Sequence, residues 1–310
     1  MNGEVAVETL DVSSFPEMDA KRRYESLVGL EDHKSRLAKQ IAVVFTPTYL
    51  HSWVKRFGNE KLAQIVRNRP PLFIFAGDVG CGKTELAETL GDAVARNLDI
   101  GVKLYRLALT TRGSGLVGEM TKLISTAFAR VRTDAQSWRA ANGDARVGAI
   151  LFIDEADSLG ESRETAEMHH EDRVGVNALI RGINDLARAD PPVVVVMATN
   201  RPDSLDMGIV RRAADILIFD RPGDAHRRLV LNNALCPPLD VPDIDTLVRE
   251  TGVVGNRPFG YTYSDLTQRL IPNIVIAALP NSRIDMPLVQ RILEQTPPTK
   301  PFRSEAQPAR

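Results

Sequence analysis

Between residues 72 and 90 the chain changes character twice in quick succession, and few folds accept that order. Leu72 to Ala76 is an unbroken apolar run, Gly77-Asp78-Val79-Gly80-Cys81-Gly82-Lys83-Thr84 is a glycine-rich break, and Glu85-Leu-Ala-Glu-Thr-Leu is helix-forming. The order reads strand, tight loop, helix. Gly77, Gly80 and Gly82 let backbone N–H groups converge on a ligand, and the helix that follows turns the positive end of its dipole toward the loop. Such a loop suits a chain of phosphates. Lys83 can neutralise the β and γ phosphates and the Thr84 hydroxyl is a hard oxygen ligand for Mg2+. Asp78 to Glu85 are therefore the expected nucleotide contacts: Asp78, Val79, Gly80, Cys81, Gly82, Lys83, Thr84 and Glu85.

The same alternation repeats downstream. Apolar runs at 103–109, 149–153, 193–198 and 215–219 are separated by helical patterns at 85–98, up to Arg132, and at 173–188. Five short strands buried on both faces predict an α/β fold with a doubly wound parallel five-stranded sheet. From Pro222-Gly223-Asp224 onward the strands stop, and helical patterns at 225–235, 244–251, 264–278 and 287–294 predict a small all-helical lid domain. Before the sheet, Leu30, Leu37 and Ile41 share the spacing of an amphipathic helix, and Trp53, Phe57, Leu62 and Ile65 continue a second helical pattern up to Pro70-Pro71. Residues 1–20 show no sustained period and read as a tail or docking arm, and the stretch beyond Gln295 lacks the apolar content to fold alone. The expected division is a tail at 1–23, a large domain at 24–221, a lid at 222–295 and a flexible tail at 296–310.

Composition narrows the partners. A net charge of -1 gives no overall drive toward nucleic acid or an anionic membrane, and no apolar run approaches the length that spans a bilayer. Cys81 and Cys236 are too few for a disulfide framework, and the N-terminus carries no basic, apolar signal sequence, so a reducing, cytoplasmic setting is expected.

Two further sites lie at the ends of core strands. Ile150-Leu-Phe-Ile153 runs into Asp154-Glu155, which delivers adjacent carboxylates to the sheet edge where ligands of such folds bind. Asp154 would hold Mg2+ with Thr84, and Glu155 would polarise a water for attack on the γ phosphate. A carboxylate pair capping a helix N-terminus is the structural alternative. Val193 to Thr199 ends at Asn200, a neutral group suited to orienting that water, or a simple turn residue before Pro202. Arg211 or Arg212 can neutralise charge on a transferring phosphoryl group, and each can equally pair with Asp206 or Asp215. His169-His170 has no Cys/His partners nearby and reads as a solvated or pore-facing loop rather than a metal site.

The ordered set resembles the AAA+ ATPases, a branch of the P-loop NTPases. The loop at 77–84, Asp154-Glu155, Asn200 and Arg211-Arg212 are similar to that family's Walker A, Walker B, sensor and arginine-finger positions, and Val28-Gly29 to its adenine-side segment. The resemblance implies a homo-hexameric ring binding ATP and Mg2+ between subunits and threading a protein through its pore. Asp172-Arg173, Asn177, Asn184-Asp185 and Val210-Arg-Arg212-Ala-Ala-Asp215 are most similar to the pachytene-checkpoint ATPases that remodel HORMA-domain proteins. That narrower likeness implies a HORMA-domain partner, complexed with a cyclic-nucleotide synthase in antiphage (CBASS) signalling. A nucleotide-dependent scaffold or a DNA-acting loader are the alternatives, the latter disfavoured by the near-neutral charge.

Two departures from the family pattern stand out. Leu116 precedes Val117-Gly118-Glu119 where the first pore loop usually carries an aromatic residue. Ser264 stands where a second sensor arginine is usual, with Arg257 and Arg269 as possible substitutes that spacing does not separate.

Overall fold

Three strands consist almost wholly of side chains with no polar group to satisfy. β2 (Leu72–Gly77), β4 (Val147–Asp154) and β5 (Val193–Thr199) bury nearly every residue, as strands covered on both faces must. The structure, a computed structural model, describes residues 10–109, 119–159, 169–255 and 257–301. Its sheet has the order β1-β3-β4-β5-β2-β6, with β3 at Gly101–Ala108 and β6 at Ala213–Phe219. The registers of β3 with β4, β4 with β5 and β5 with β2 are parallel, including Ala108↔Asp154, Ile153↔Met197 and Ala76↔Thr199. These pairings place the ends of β2, β4 and β5 side by side at one edge.

Among the described residues the sheet has six strands, one more than the five expected. β1 (Leu10–Phe15), inside the segment expected to be a tail, pairs antiparallel with β3 from Leu10↔Leu107 to Phe15↔Val102. Its sequence, LDVSSF, buries only Phe15, so it carries no two-residue apolar period to read. Phe15 lies where a side chain on Gly91 would be, and a Cβ there would overlap the ring.

Helices cover the sheet. α1 (Met18–Ser26) and α2 (Glu31–Phe45) come first, and Leu37, Ile41 and Phe45 of α2 are fully buried. The second helical pattern proves to be two helices, α3 (Pro47–Phe57) and α4 (Glu60–Arg67), divided at Gly58 and restarted by Asn59, whose side chain accepts from the Leu62 N–H. Their buried residues are Leu50, Val54 and Ala63, while Trp53, Phe57, Leu62 and Ile65, which carried the predicted pattern, are exposed. α5 (Lys83–Leu98) follows the glycine loop, α6 (Glu119–Ala135) and α7 (His169–Ala189) flank β4, and short α8 (Met207–Val210) precedes β6.

After β6 the chain is helical: α9 (Asp224–Leu235), α10 (Val241–Glu250), α11 (Ile271–Ala278) and α12 (Met286–Gln295). The helix expected at 264–278 is present and continuous, with a π-helical stretch, Asp265–Leu270, running into α11. The start of the segment expected to be a flexible tail is anchored instead. Thr296 is buried with its carbonyl accepting from the Tyr261 hydroxyl at 2.6 Å, and the Thr299 N–H donates to Asp265 at 3.0 Å.

The chain divides into two compact units. The first comprises Met1–Ser26, Glu31–Ala76 and Thr84–Ile218, and the second Leu27–Leu30, Gly77–Lys83 and Phe219–Arg310. The glycine loop thus groups with the helical residues that follow β6. No helix among the described residues is long and apolar enough to cross a membrane.

Candidate nucleotide site

In the first unit, chemistry collects where β4 and β5 end. Asp154 closes β4, and the Thr84 hydroxyl at the start of α5 faces its carboxylate at 3.3 and 3.5 Å. A hydroxyl and a carboxylate at this spacing form a hard-oxygen pair of the kind Mg2+ prefers, so these residues fit that ion. Glu155 follows with φ 52°, a left-handed conformation that a β-carbon disfavours, and its side chain is exposed. Its N–H donates back to Asp154 Oδ1 at 3.0 Å, which fixes the turn. Strained backbone of this kind persists where the surroundings hold it, and here it turns a carboxylate outward from the strand end. Asn200 follows β5, and its N–H donates to Asp157 Oδ1 at 3.4 Å.

Arg106 on β3 was not singled out by sequence. Its guanidinium reaches Glu88 Oε1 at 2.5 Å and lies 3.8 Å from Asp154 Oδ2, beside the metal-suited carboxylate. A charged residue between the buried Tyr105 and Leu107 was the available signal, weakened by Lys103 in the same strand. Glu85, expected to face the nucleotide, commits its side chain to Arg23 at 2.7 and 3.0 Å, which leaves its backbone N–H at the helix start for a phosphate.

In the second unit, the loop has the backbone its glycines allow. Gly77, Gly80 and Gly82 have φ of 154°, 75° and 93°. A Cβ at Gly80 would lie 2.8 Å from both Ser264 Cβ and Thr262 Oγ1, so that residue is glycine for space as well as conformation. The buried Lys83 ammonium donates to the carbonyls of Asp78 at 2.7 Å and Gly77 at 3.0 Å. Burial pushes the Cys81 thiol up to about 12, with the Asp78 charge adding to the effect, so Cys81 remains a neutral thiol. Val28 packs on the core of this unit, and Gly29, at φ 75°, has His226 and Tyr263 where a side chain would stand.

The two arginines differ sharply. Arg212 donates to Asn184 Oδ1 at 2.9 Å and to the Gly208 carbonyl at 2.8 Å. Arg211 is exposed, and its side chain makes no hydrogen bond or ion pair among the described residues. Asp215 is taken by Arg36 and Gln40, each at 2.5 Å, and Asp206 caps α8 by accepting from Gly208 N–H. Both candidates for the second sensor are hydrogen-bonded within the unit: Arg257 donates to the carbonyls of Glu250 and Gly252, and Arg269 to Asp265. Leu116 and Val117 lie outside the described residues.

Residues 73–221 match the family model described as "ATPase family associated with various cellular activities (AAA)". The chain is 46% identical to CD-NTase-associated protein 6 of Escherichia coli strain MS 115-1 over 93% of its own length and 94% of the relative's. The chain belongs to this family of AAA ATPases.

Solved structures agree. A chain in the E. coli MS115-1 HORMA:CdnC:Trip13 complex superposes with a TM-score of 0.89 at 44% identity, covering 96% of this chain and 98% of that one. Rhizobiales Trip13 gives a TM-score of 0.72 at 41% identity, covering 94% and 99%. The chain is accordingly a nucleotide-binding AAA ATPase. The glycine loop, the strand-end carboxylates and Asn200 are the positions the sequence singled out, whereas the approach of Arg106 to Asp154 and of the Asn200 N–H to Asp157 emerges only in the fold.

Proposed function

We propose that this AAA ATPase assembles as a homo-hexamer, hydrolyses ATP with Mg2+, and spends the hydrolysis on partly unfolding a HORMA-domain protein. Releasing that protein from a cyclic-nucleotide synthase would restrain antiphage signalling. The observation that carries the reading is the pairing of Asp154, faced by Thr84, with a strained and outward-turned Glu155, because binding alone has no use for the second carboxylate. The partner classes follow those named for the E. coli relative, whose structure is a HORMA:CdnC:Trip13 complex.

In this mechanism the N–H groups of residues 78–85 cradle the phosphates and Lys83 leaves its carbonyl partners to meet them. Bound Mg2+ would supply charge neutralisation across the β and γ phosphates, held by Thr84 and Asp154. Glu155 accepts the proton of the attacking water while Asn200 orients it. Arg211 is the better placed of the two arginines to reach a neighbouring subunit, since Arg212 is tied within its own chain. Val28 and Gly29 would lie beside the adenine, and Leu116 and Val117 would grip the substrate.

The test is capture and turnover with full-length protein. The Glu155→Gln variant, loaded with ATP, should retain a HORMA-domain partner in pull-down, and wild type should free the synthase only with hydrolysable ATP. Retention without any turnover by wild type would instead make the protein a nucleotide-dependent scaffold, and turnover stimulated by DNA would point to a loader.

A further inference from the structure

Within Gly77–Lys83 stands one acidic residue, Asp78. A loop that grips a polyanion is a poor place for a carboxylate, because like charges at short range repel, most strongly where water is partly excluded. The structure supplies its counter-charge. Arg221, just past β6, places Nε at 2.7 Å and Nη2 at 2.5 Å from the same Asp78 oxygen, and both side chains are largely buried, at 14% and 17% exposed. The other Asp78 oxygen accepts the Val79 N–H at 2.9 Å.

Arg221 does more than pair. Its remaining nitrogen, Nη1, donates to the Gly260 carbonyl at 2.6 Å, and its guanidinium lies 5.1 Å from the centroid of the Phe259 ring. Four residues further along, the Ser264 N–H donates to the Gly80 carbonyl at 3.1 Å. The glycine loop is therefore tied to the Gly260–Ser264 stretch at two points, directly through the Gly80 carbonyl and by way of Arg221 through the Asp78 side chain. Lys83 rests on the carbonyl of the very residue whose side chain Arg221 holds.

We infer that Arg221 is a positioning residue for the phosphate grip: it cancels the charge of Asp78 and, through Gly260, fastens the glycine loop to the 260–264 segment. This rests on the reading of residues 77–84 as the nucleotide loop. Two consequences separate the roles. Arg221→Gln strips the counter-charge and leaves Asp78 facing the phosphates alone. Arg221→Lys restores the charge but, having no planar fork, cannot serve Asp78 and Gly260 together.

The experiment titrates a fluorescent ADP analogue into full-length protein, with ATP turnover measured in parallel. Arg221→Gln should weaken binding by about tenfold or more, on the scale of an unpaired, partly buried charge. It should raise KM more than it lowers kcat. The double variant Asp78→Asn/Arg221→Gln should recover most of the lost affinity, and Arg221→Lys should recover affinity while turnover stays low. Arg221→Lys keeps the counter-charge, so its affinity tests the inference even if Arg221→Gln fails to fold. Wild-type affinity in a folded Arg221→Gln, no recovery in the double variant, or a tenfold loss of affinity in a folded Arg221→Lys would each overturn the inference. Lys83→Ala serves as the control for the parent reading. If it binds like wild type, the nucleotide loop itself is misassigned; if it fails to bind while Arg221→Gln matches wild type, only the role of Arg221 is lost.

Discussion

Glu155 is held at φ 52°, and a carboxylate that merely capped a helix would need no such backbone. Replacing it with Gln keeps the shape and the N–H bond to Asp154 but removes the base. Turnover should fall by at least ~100-fold with nucleotide affinity nearly unchanged, as single-turnover and binding measurements can show. The adjacent arginines make a sharper contrast. Arg211→Ala should leave thermal stability unchanged and reduce turnover by ~1000-fold, the scale of a lost arginine finger. Arg212→Ala should lower the melting temperature, because Asn184 and the Gly208 carbonyl lose hydrogen bonds worth about 1 kcal/mol each. Mixing Arg211→Ala with Glu155→Gln subunits should restore some activity, and silence at every ratio in confirmed rings would exclude action between subunits. Sequence offered both arginines for this role and could not choose between them. Neighbouring residues in one helical cap differ only in what each side chain meets, and that is fixed by Asn184, 28 residues away along the chain.

At the scale of elements, the strands that were read correctly are those with unbroken apolar runs, and the strand that was missed is the one that buries a single side chain. β1 exposes four of its six residues, so nothing in its own sequence marks it. Its signature lies elsewhere, in a glycine in the middle of α5, where a glycine is otherwise costly. Gly91→Ala puts a methyl group into the Phe15 ring. It should destabilise the protein by about 1–3 kcal/mol despite the better helix propensity of alanine. Combining it with Phe15→Leu should cost less than the sum of the two single changes, because the smaller side chain frees the space. Additive costs in chemical denaturation would mean that Phe15 does not occupy that position. The α3–α4 region failed differently: its large apolar residues carry a helical period but lie on the exposed side, so the period located helices without locating their buried face.

For the molecule as a whole, the boundary legible in the sequence was the switch from strands to helices near residue 221, yet the glycine loop and Leu27–Leu30 group with the helices beyond it. Contacts such as Arg221 to Asp78, 143 residues apart, leave no local period, so this grouping could not be read in advance. The same unit holds a buried charge that ties its end to its middle. Asp265 accepts from the Thr262 N–H at 3.0 Å, the Thr299 N–H at 3.0 Å, the Thr299 hydroxyl at 2.7 Å and Arg269 at 2.8 Å. Burial works against its ionisation, but these donors outweigh burial and hold the carboxyl below the usual carboxylate range. A folded-state value below the unfolded one means that ionised Asp265 adds stability above the unfolded pKa of about 3.9, and that this share is lost as pH falls through the folded value. Asp265→Asn replaces one acceptor oxygen with an amide that faces donors. At pH 7 it should lower the unfolding free energy by about 1–3 kcal/mol, and the gap to wild type should narrow steadily below about pH 4. Paired urea titrations of the two proteins isolate this group from the other carboxylates, since only the difference between the curves is read. A gap that stays constant down to acid would show that Asp265 contributes its shape and not its charge.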